Sequence, residues 1–109
     1  MARHRIRYTQ AAIDDLDAIF DYIAIEDQNA ALKMLAKFER SIERLAEHPN
    51  IGMAVHSGAS GRISAEYRYV TALPYLIFYQ IKDDQVCIGR ILHSRQDWLH
   101  LLFRTANSE

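Results

Sequence analysis

Apolar side chains crowd the chain most closely between Tyr75 and Leu92, and the run is broken once, at Lys82-Asp83-Asp84-Gln85. β-Branched and aromatic residues fill both arms, Tyr75 to Ile81 and Val86 to Leu92, so the pattern predicts a β-hairpin that turns at the break. With Asp83 and Asp84 as its loop, Ile81 faces Val86, Tyr79 faces Ile88, Ile77 faces Arg90 and Tyr75 faces Leu92 on one side of the sheet. Leu76, Phe78, Gln80, Cys87, Gly89, Ile91 and His93 take the other side. Neither side is polar throughout. One must pack on the chain's own helices, and the other must be covered by something else or line a groove.

Two stretches supply the helices. Ile13, Leu16, Phe20 and Ile23 recur at three- and four-residue spacing behind Thr9, a suitable N-cap, with Asp14 and Asp15 in the early turns where the helix dipole favours negative charge. This helix is expected to stop near Glu26-Asp27-Gln28-Asn29. Leu35, Phe38, Ile42 and Leu45 repeat the spacing until Pro49, Asn50 and Gly52 end it, which makes an antiparallel helical hairpin. Ahead of it, Arg3 to Tyr8 alternates Arg3, Arg5 and Arg7 with His4, Ile6 and Tyr8, the pattern of a short strand with one buried face. Ile51 to Ser64, with Gly52, Ser57, Gly58, Ser60 and Gly61, reads as a loop between the helical and sheet halves. A strand from Glu66 to Thr71 follows and ends or bulges at Leu73-Pro74. After the hairpin, Ser94 and Asp97 approximate a capping box, so a last helix is expected from Arg95 to about Arg104, sealed to the sheet by Trp98, Leu101 and Leu102. The fold class is α+β, in one domain spanning residues 1–109.

Composition narrows the possible partners. Thirteen basic residues stand against fourteen acidic ones, whereas a chain that grips long nucleic acid through phosphates usually carries a basic excess. Six acidic residues and no basic one lie between Tyr8 and Leu32, with Lys33, Lys37, Arg40 and Arg44 beyond, which reads as a solvated helix pair with attracting edges. Cys87 is the only cysteine and sits in an apolar strand, so a buried, inert thiol in a reducing cytoplasm is expected. No apolar run approaches the ~20 residues of a membrane span, and Met1-Ala2-Arg3-His4-Arg5 leads into a strand rather than a signal-peptide core.

Candidate chemistry gathers after the last strand. His93 beside Arg95 and Asp97 can act as an acid or base; equally, it can bond the local backbone while Asp97 caps the helix. No nucleophile or second base completes the first arrangement. His48 and His56, or His93 and His100, lack the close pairing of a helix-borne zinc site, so neither a metal nor another cofactor is expected. Asp14, Asp15, Asp17 and Asp21 run along a helix face that reads as solvated, and Tyr67, Tyr69, Tyr75 and Tyr79 could stack bases but are ordinary sheet packing. The loop glycines lack the strand-loop-helix order and the Lys-Ser or Lys-Thr of a phosphate cradle.

The order strand, helix hairpin, three antiparallel strands and short helix, with Tyr75-Leu76-Ile77-Phe78-Tyr79, the Asp-Asp turn and Leu92-His93-Ser94-Arg95-Gln96-Asp97, resembles the ParE/RelE superfamily of toxins from type II toxin–antitoxin modules. The likeness runs from Arg5 through His48-Pro49 to Asp97, and the last motif looks like the ParE branch. RelE-like members are ribosome-dependent mRNA endonucleases, with an Arg after the first aromatic of the central strand, a basic residue after the last strand, and commonly a Tyr or His near the C-terminus. Here those positions hold Leu76, Gln96 (with Arg95 adjacent) and Leu102. An apolar side chain cannot neutralise phosphate charge in a transition state, so Leu76 and the near-neutral balance speak against RNA cleavage.

The ParE resemblance implies a toxin that is not an enzyme. It would trap DNA gyrase on cleaved DNA and be neutralised by a ParD-like ribbon-helix-helix antitoxin, in a hetero-oligomer that reaches DNA only through that antitoxin. On this reading Ile13, Leu16, Phe20, Leu35, Phe38 and Ile42 receive the antitoxin's tail, while Arg68, His93, Arg95 and Trp98 mark the end that meets the target. A family member without toxicity, acting only as a binding partner, is the third possibility.

Overall fold

The computed structural model describes residues 3–55 and 67–108. Strand β1 (Arg5–Tyr8) leads into helices α1 (Gln10–Ala24) and α2 (Gln28–Glu47), and a 3-10 turn (Pro49–Ile51) carries the chain into β2 (Met53–Ala54). Strands β3 (Arg68–Ala72), β4 (Tyr75–Lys82) and β5 (Gln85–His93) follow, and α3 (Trp98–Ser108) closes the order. Most of the loop expected from 51 to 64, His56 and Glu66 lie outside the described residues; β2, which its sequence did not announce, falls in the loop's first part.

The five strands are arranged β1-β5-β4-β3-β2, and the sheet is mixed: β1 runs parallel to β5, while the other neighbours are antiparallel. A parallel neighbour requires a long connection, here the helical hairpin and three strands. The predicted β4–β5 turn is present. Asp83 and Asp84 both hold positive φ, 52° and 60°, as a two-residue hairpin loop whose twist matches its strands demands, and Asp is among the few residues that tolerate that region.

Register follows expectation from Lys82↔Gln85 as far as Tyr79↔Ile88, then shifts, because Phe78 pairs with Arg90 and Gly89 is left as an extra residue. This bulge corrects the expected faces. One inserted residue reverses the side-chain alternation beyond it, so Ile91 turns toward the helices and Leu92 toward the opposite face. The helix side of the sheet holds Tyr75, Ile77, Tyr79, Val86, Ile88 and Ile91 against Ala12, Phe38, Ile42 and Leu45. Leu76, Phe78 and Leu92 form a second core with Val55, Tyr67 and Leu102, which α3 covers with Trp98, Leu99 and Leu101.

In α1 the buried stripe is rotated from the expected one. Ala12 is buried and Leu16 and Ile19 pack on the core, whereas Ile13 is 40% exposed. The reason lies at the helix start. Thr9 Oγ1 accepts from Ala12 N at 3.0 Å and donates to Gly89 O at 2.8 Å, and Thr9 N donates to Ile88 O, so the cap is bonded to the sheet and fixes the helix rotation. Beyond Ile88 the edge of β5 has no strand beside it, since β1 ends at Tyr8. Side chains of α1 take the strand's place: Thr9 serves Gly89 O, and Asp15 accepts from Ile91 N at 2.9 Å. Asp15 also holds Arg90 through two hydrogen bonds, Nε to Oδ2 at 2.7 Å and Nη2 to Oδ1 at 2.9 Å. Burial would lower the arginine's pKa, but this paired hydrogen bonding outweighs it and raises the value.

Arg3 reaches Glu43 and Glu47 of α2, and His4 N donates to Ala46 O, so the lead into β1 is tied to the second helix. Lys37 Nζ donates to Leu73 O. Lys37 of α2 and Asp15 of α1 thus reach the sheet and its turns.

Tyr79, fully buried in β4, organises the segment after α2. Its hydroxyl donates to Pro49 O at 2.6 Å and accepts from Gly52 N at 2.9 Å, while Arg68 Nη1 donates to Gly52 O at 2.9 Å. Burial raises the Tyr79 pKa, opposed by the bond from Gly52 and the charge of Arg68. Since its folded pKa lies above the ordinary value of about 10, this contribution to stability is complete below that value and is lost as pH rises through the folded one. Tyr79→Phe is expected to cost about 1–3 kcal/mol at neutral pH, by leaving Gly52 N and Pro49 O without the phenol. Urea titrations at pH 8 and pH 11 check both points: the variant should start lower and lose less than the parent over that interval. Tyr8 and Tyr75, also raised chiefly by burial, account for the loss that persists.

Candidate functional site

The end of β5 and the start of α3 form one corner of the molecule. Here His93 N donates to Gln96 Oε1 at 2.8 Å, Gln96 N donates to His93 O at 3.0 Å, and Arg95 N donates to His93 Nδ1 at 3.0 Å. These bonds wind residues 93–96 into a turn, so α3 begins at Trp98, three residues later than expected. Asp97, without Ser94, caps it by accepting from His100 N at 3.4 Å. The imidazole also stands edge-on to Tyr75, with ring centroids 5.3 Å apart. Of the two roles open to His93 in the sequence, the geometry matches backbone bonding: one ring nitrogen is occupied by an amide.

Trp98 lies over Phe78 with centroids 5.3 Å apart and beside Tyr69 at 6.5 Å. It is half-buried, so it belongs mainly to the second core, and Arg95 is the exposed charged side chain of the group. Arg68 is not brought to this corner. It pairs with Tyr79 in the β3–β4 ladder, whereas His93 pairs with Tyr75, four residues along β4, and its guanidinium is bonded to Gly52 O. Leu76, at the position that an endonuclease of the RelE branch fills with arginine, is 8% exposed and packed in the core beneath α3.

The six residues expected to meet an antitoxin divide by depth. Phe38 and Ile42 are buried, Leu16 and Leu35 pack on the core, Phe20 is half-buried, and Ile13 is exposed. Ile42, although buried, also lines an open groove. This groove, of about 580 Å³, runs between β1 and α2 beside Ile6, Tyr8, Ala36, Glu39 and Glu43, and Tyr22, Ile25 and Leu32 are exposed toward the tip of the helical hairpin. The signal for the groove was the alternation in β1, which puts Ile6 and Tyr8 on the helix side. Burial, reinforced by Glu39 and Glu43, raises the pKa of Tyr8 in that groove.

Among the described residues no three His, Cys, Asp or Glu side chains come together as metal ligands, and no helix is long and apolar enough to cross a membrane. Cys87 is free and half-buried, less enclosed than its strand suggested, and lies outside the second core beneath α3.

Comparison with known proteins agrees with this architecture. The family described as the ParE toxin of the type II toxin–antitoxin system parDE matches residues 6–98. Y4kP of Sinorhizobium fredii, named as a candidate toxin, is 38% identical over 103 residues, 94% of this chain and 100% of that one. Toxin RelE2 of Caulobacter vibrioides is 32% identical over 91 residues, 83% and 94% of the two chains. Among solved structures, the chromosomal ParDE system of P. aeruginosa superposes with a TM-score of 0.65 at 26% identity, covering 84% of this chain and 96% of that one. With its strand, helical hairpin, mixed sheet and closing helix, and with the family match spanning most of its length, the chain belongs to the ParE toxins of type II toxin–antitoxin systems, within the ParE/RelE superfamily.

Proposed function

We propose that this toxin halts growth by trapping DNA gyrase on cleaved DNA, without catalysis of its own, and that a ParD-like ribbon-helix-helix antitoxin holds it inactive. The observation that carries the reading against RNA cleavage is Leu76, sealed under α3 where the endonuclease branch would present a cation to phosphate. The other two positions agree: Gln96 is engaged with the His93 backbone, and position 102 is a buried leucine. Arg95, with the turn around His93, is the proposed contact with the target. The antitoxin is proposed to seat an apolar tail along the outer side of the helical hairpin, where Ile13 is exposed, and in the groove beside Ile6 and Tyr8.

Isotope incorporation into DNA and into protein, followed for minutes after the chain is induced alone in a bacterium, tests the proposal. DNA synthesis is expected to fail first while translation continues; early failure of translation would sink it. In the same assay Arg95→Glu should weaken inhibition at least about tenfold, since a charge is reversed at an exposed contact, while the purified variant keeps its urea midpoint and its antitoxin. Trp98 is unsuited to this test, because its loss would also open the core above Phe78.

A further inference from the structure

The half of the sheet that faces away from the helices and lies toward the β4–β5 turn has its own composition. Arg7 of β1, Cys87 of β5 and Gln80 of β4 are direct cross-strand neighbours, and Arg5, Gln85 and Lys82 make the next row. Arg7, Gln10, Gln80, Lys82, Cys87 and Gly89 are among the residues lining a cavity of about 400 Å³. Its charged walls are both cations, Arg7 and Lys82, on opposite sides of β5. At one end stands the start of α1, whose first turn carries no acidic residue; Asp14, the next carboxylate on that helix, is bonded by Gln10 Nε2 at 2.9 Å. Gly89 contributes no side chain, and the Tyr67 ring takes that space: a Cβ there would lie 3.0 Å from Tyr67 Cε1 and from its hydroxyl.

We infer that this cavity is a phosphate-binding site and that the phosphate arrives as an ester, on a nucleotide or at the end of a DNA strand. A guanidinium fork on one wall, whose Nη1 also reaches Gln85 Oε1 at 3.4 Å, and an ammonium on the other suit the oxygens of a tetrahedral dianion, and Gln10 and Gln80 add no negative charge beside them. The volume lies within the range of small-ligand sites and exceeds what a bare phosphate needs, which points to the ester. The site sits on the opposite end of this face from Leu76 and Gln96, so it is separate from the position where the related endonucleases handle RNA. It stands independently of the gyrase reading.

The protein contains its own reporter, since Cys87 is the only cysteine and its half-buried side chain lines the cavity. Alkylation of the full chain by iodoacetamide, which is uncharged, is measured with thymidine 5′-monophosphate or a 5′-phosphorylated oligothymidylate, with ionic strength matched by sodium chloride. Saturable slowing of at least about threefold is expected, and Arg7→Gln with Lys82→Gln should weaken the apparent affinity at least about tenfold, as loss of two charge-assisted contacts requires. Arg5→Gln, one row away, should leave it within about twofold. Protection by both probes assigns a nucleotide-sized ligand, and protection by the oligonucleotide alone assigns a strand end; either supports the site. An unchanged rate with both probes overturns it, as does equal protection in the double variant. Should that variant fold poorly, backbone amide shifts of Gln80, Cys87 and Gly89 during titration of the parent chain decide the matter, and their constancy rejects the site.

Discussion

Asp15→Ala is expected to destabilise the protein by about 3–5 kcal/mol, a large share of the roughly 5–15 kcal/mol that holds a domain of this kind together. The carboxylate has three partners, Arg90 Nε, Arg90 Nη2 and Ile91 N, and the two side chains are only 14% and 18% exposed. Truncation therefore leaves an amide at the edge of β5 and a largely enclosed guanidinium without their acceptor. The size of the loss reflects that abandonment more than any intrinsic value of the pair, and this distinction can be measured. Asp15→Asn keeps an acceptor for Ile91 N and should recover part of the deficit, and Asp15→Leu with Arg90→Met should recover most of it, because an apolar pair of similar volume has no charge to desolvate. Urea midpoints of the four proteins check the order. If Asp15→Ala cost less than about 1 kcal/mol, α1 would be held by its apolar stripe and by the bonds from Thr9 to β5.

Gly52→Ala should cost about 2–4 kcal/mol, although nothing in the backbone forbids alanine there. Gly52 has φ −71° and ψ 156°, ordinary extended values. The obstacle is space. An added Cβ would press on the Tyr79 hydroxyl and lie 2.7 Å from Tyr79 Cε1 and 2.9 Å from the carbonyl oxygen of Tyr69. Because Tyr79 is enclosed by the core, relief must come from moving the segment after α2, which breaks the bonds from the phenol to Pro49 and Gly52 and the one from Arg68. The same substitution in a Tyr79→Phe background should cost less, since two of those bonds are already gone, and the urea midpoints of this double-mutant cycle read the coupling. A fully additive result would show that the segment moves without engaging Tyr79.

The elements whose local signals agreed were legible in the sequence. Thr9 caps α1 as its chemistry indicated, Pro49 and Gly52 end α2, and the Asp-Asp turn closes the hairpin. What escaped was set by partners distant in sequence. Gly89 reads as an ordinary strand residue until β4 is laid beside it, and only then does the extra residue exchange the faces of Ile91 and Leu92. Asp15 reads as a dipole-favoured carboxylate in an early helical turn, while its main partners lie 75 and 76 residues away. The site residues show the same division. His93, Arg95 and Trp98 are neighbours in sequence and are brought to one corner, but Arg68 is held elsewhere by Gly52, and Phe38 and Ile42 are buried, Ile42 where the β1–α2 groove opens above it. Spacing shows that a stripe exists; the helix rotation that decides which members stay exposed depends on the bonds from Thr9 to β5.

The parallel pairing of β1 with β5 also governs when this protein can become itself. Residues 5–8 are made well before their sheet partners, residues 85–88, so the first strand has no place to dock until the helical hairpin and three further strands have been synthesised. Until then the helical hairpin has neither the β5 edge that its Thr9 and Asp15 bond nor the apolar floor that buries Phe38 and Ile42. The native fold therefore waits for β5, and a nascent toxin passes through that interval without its finished surface.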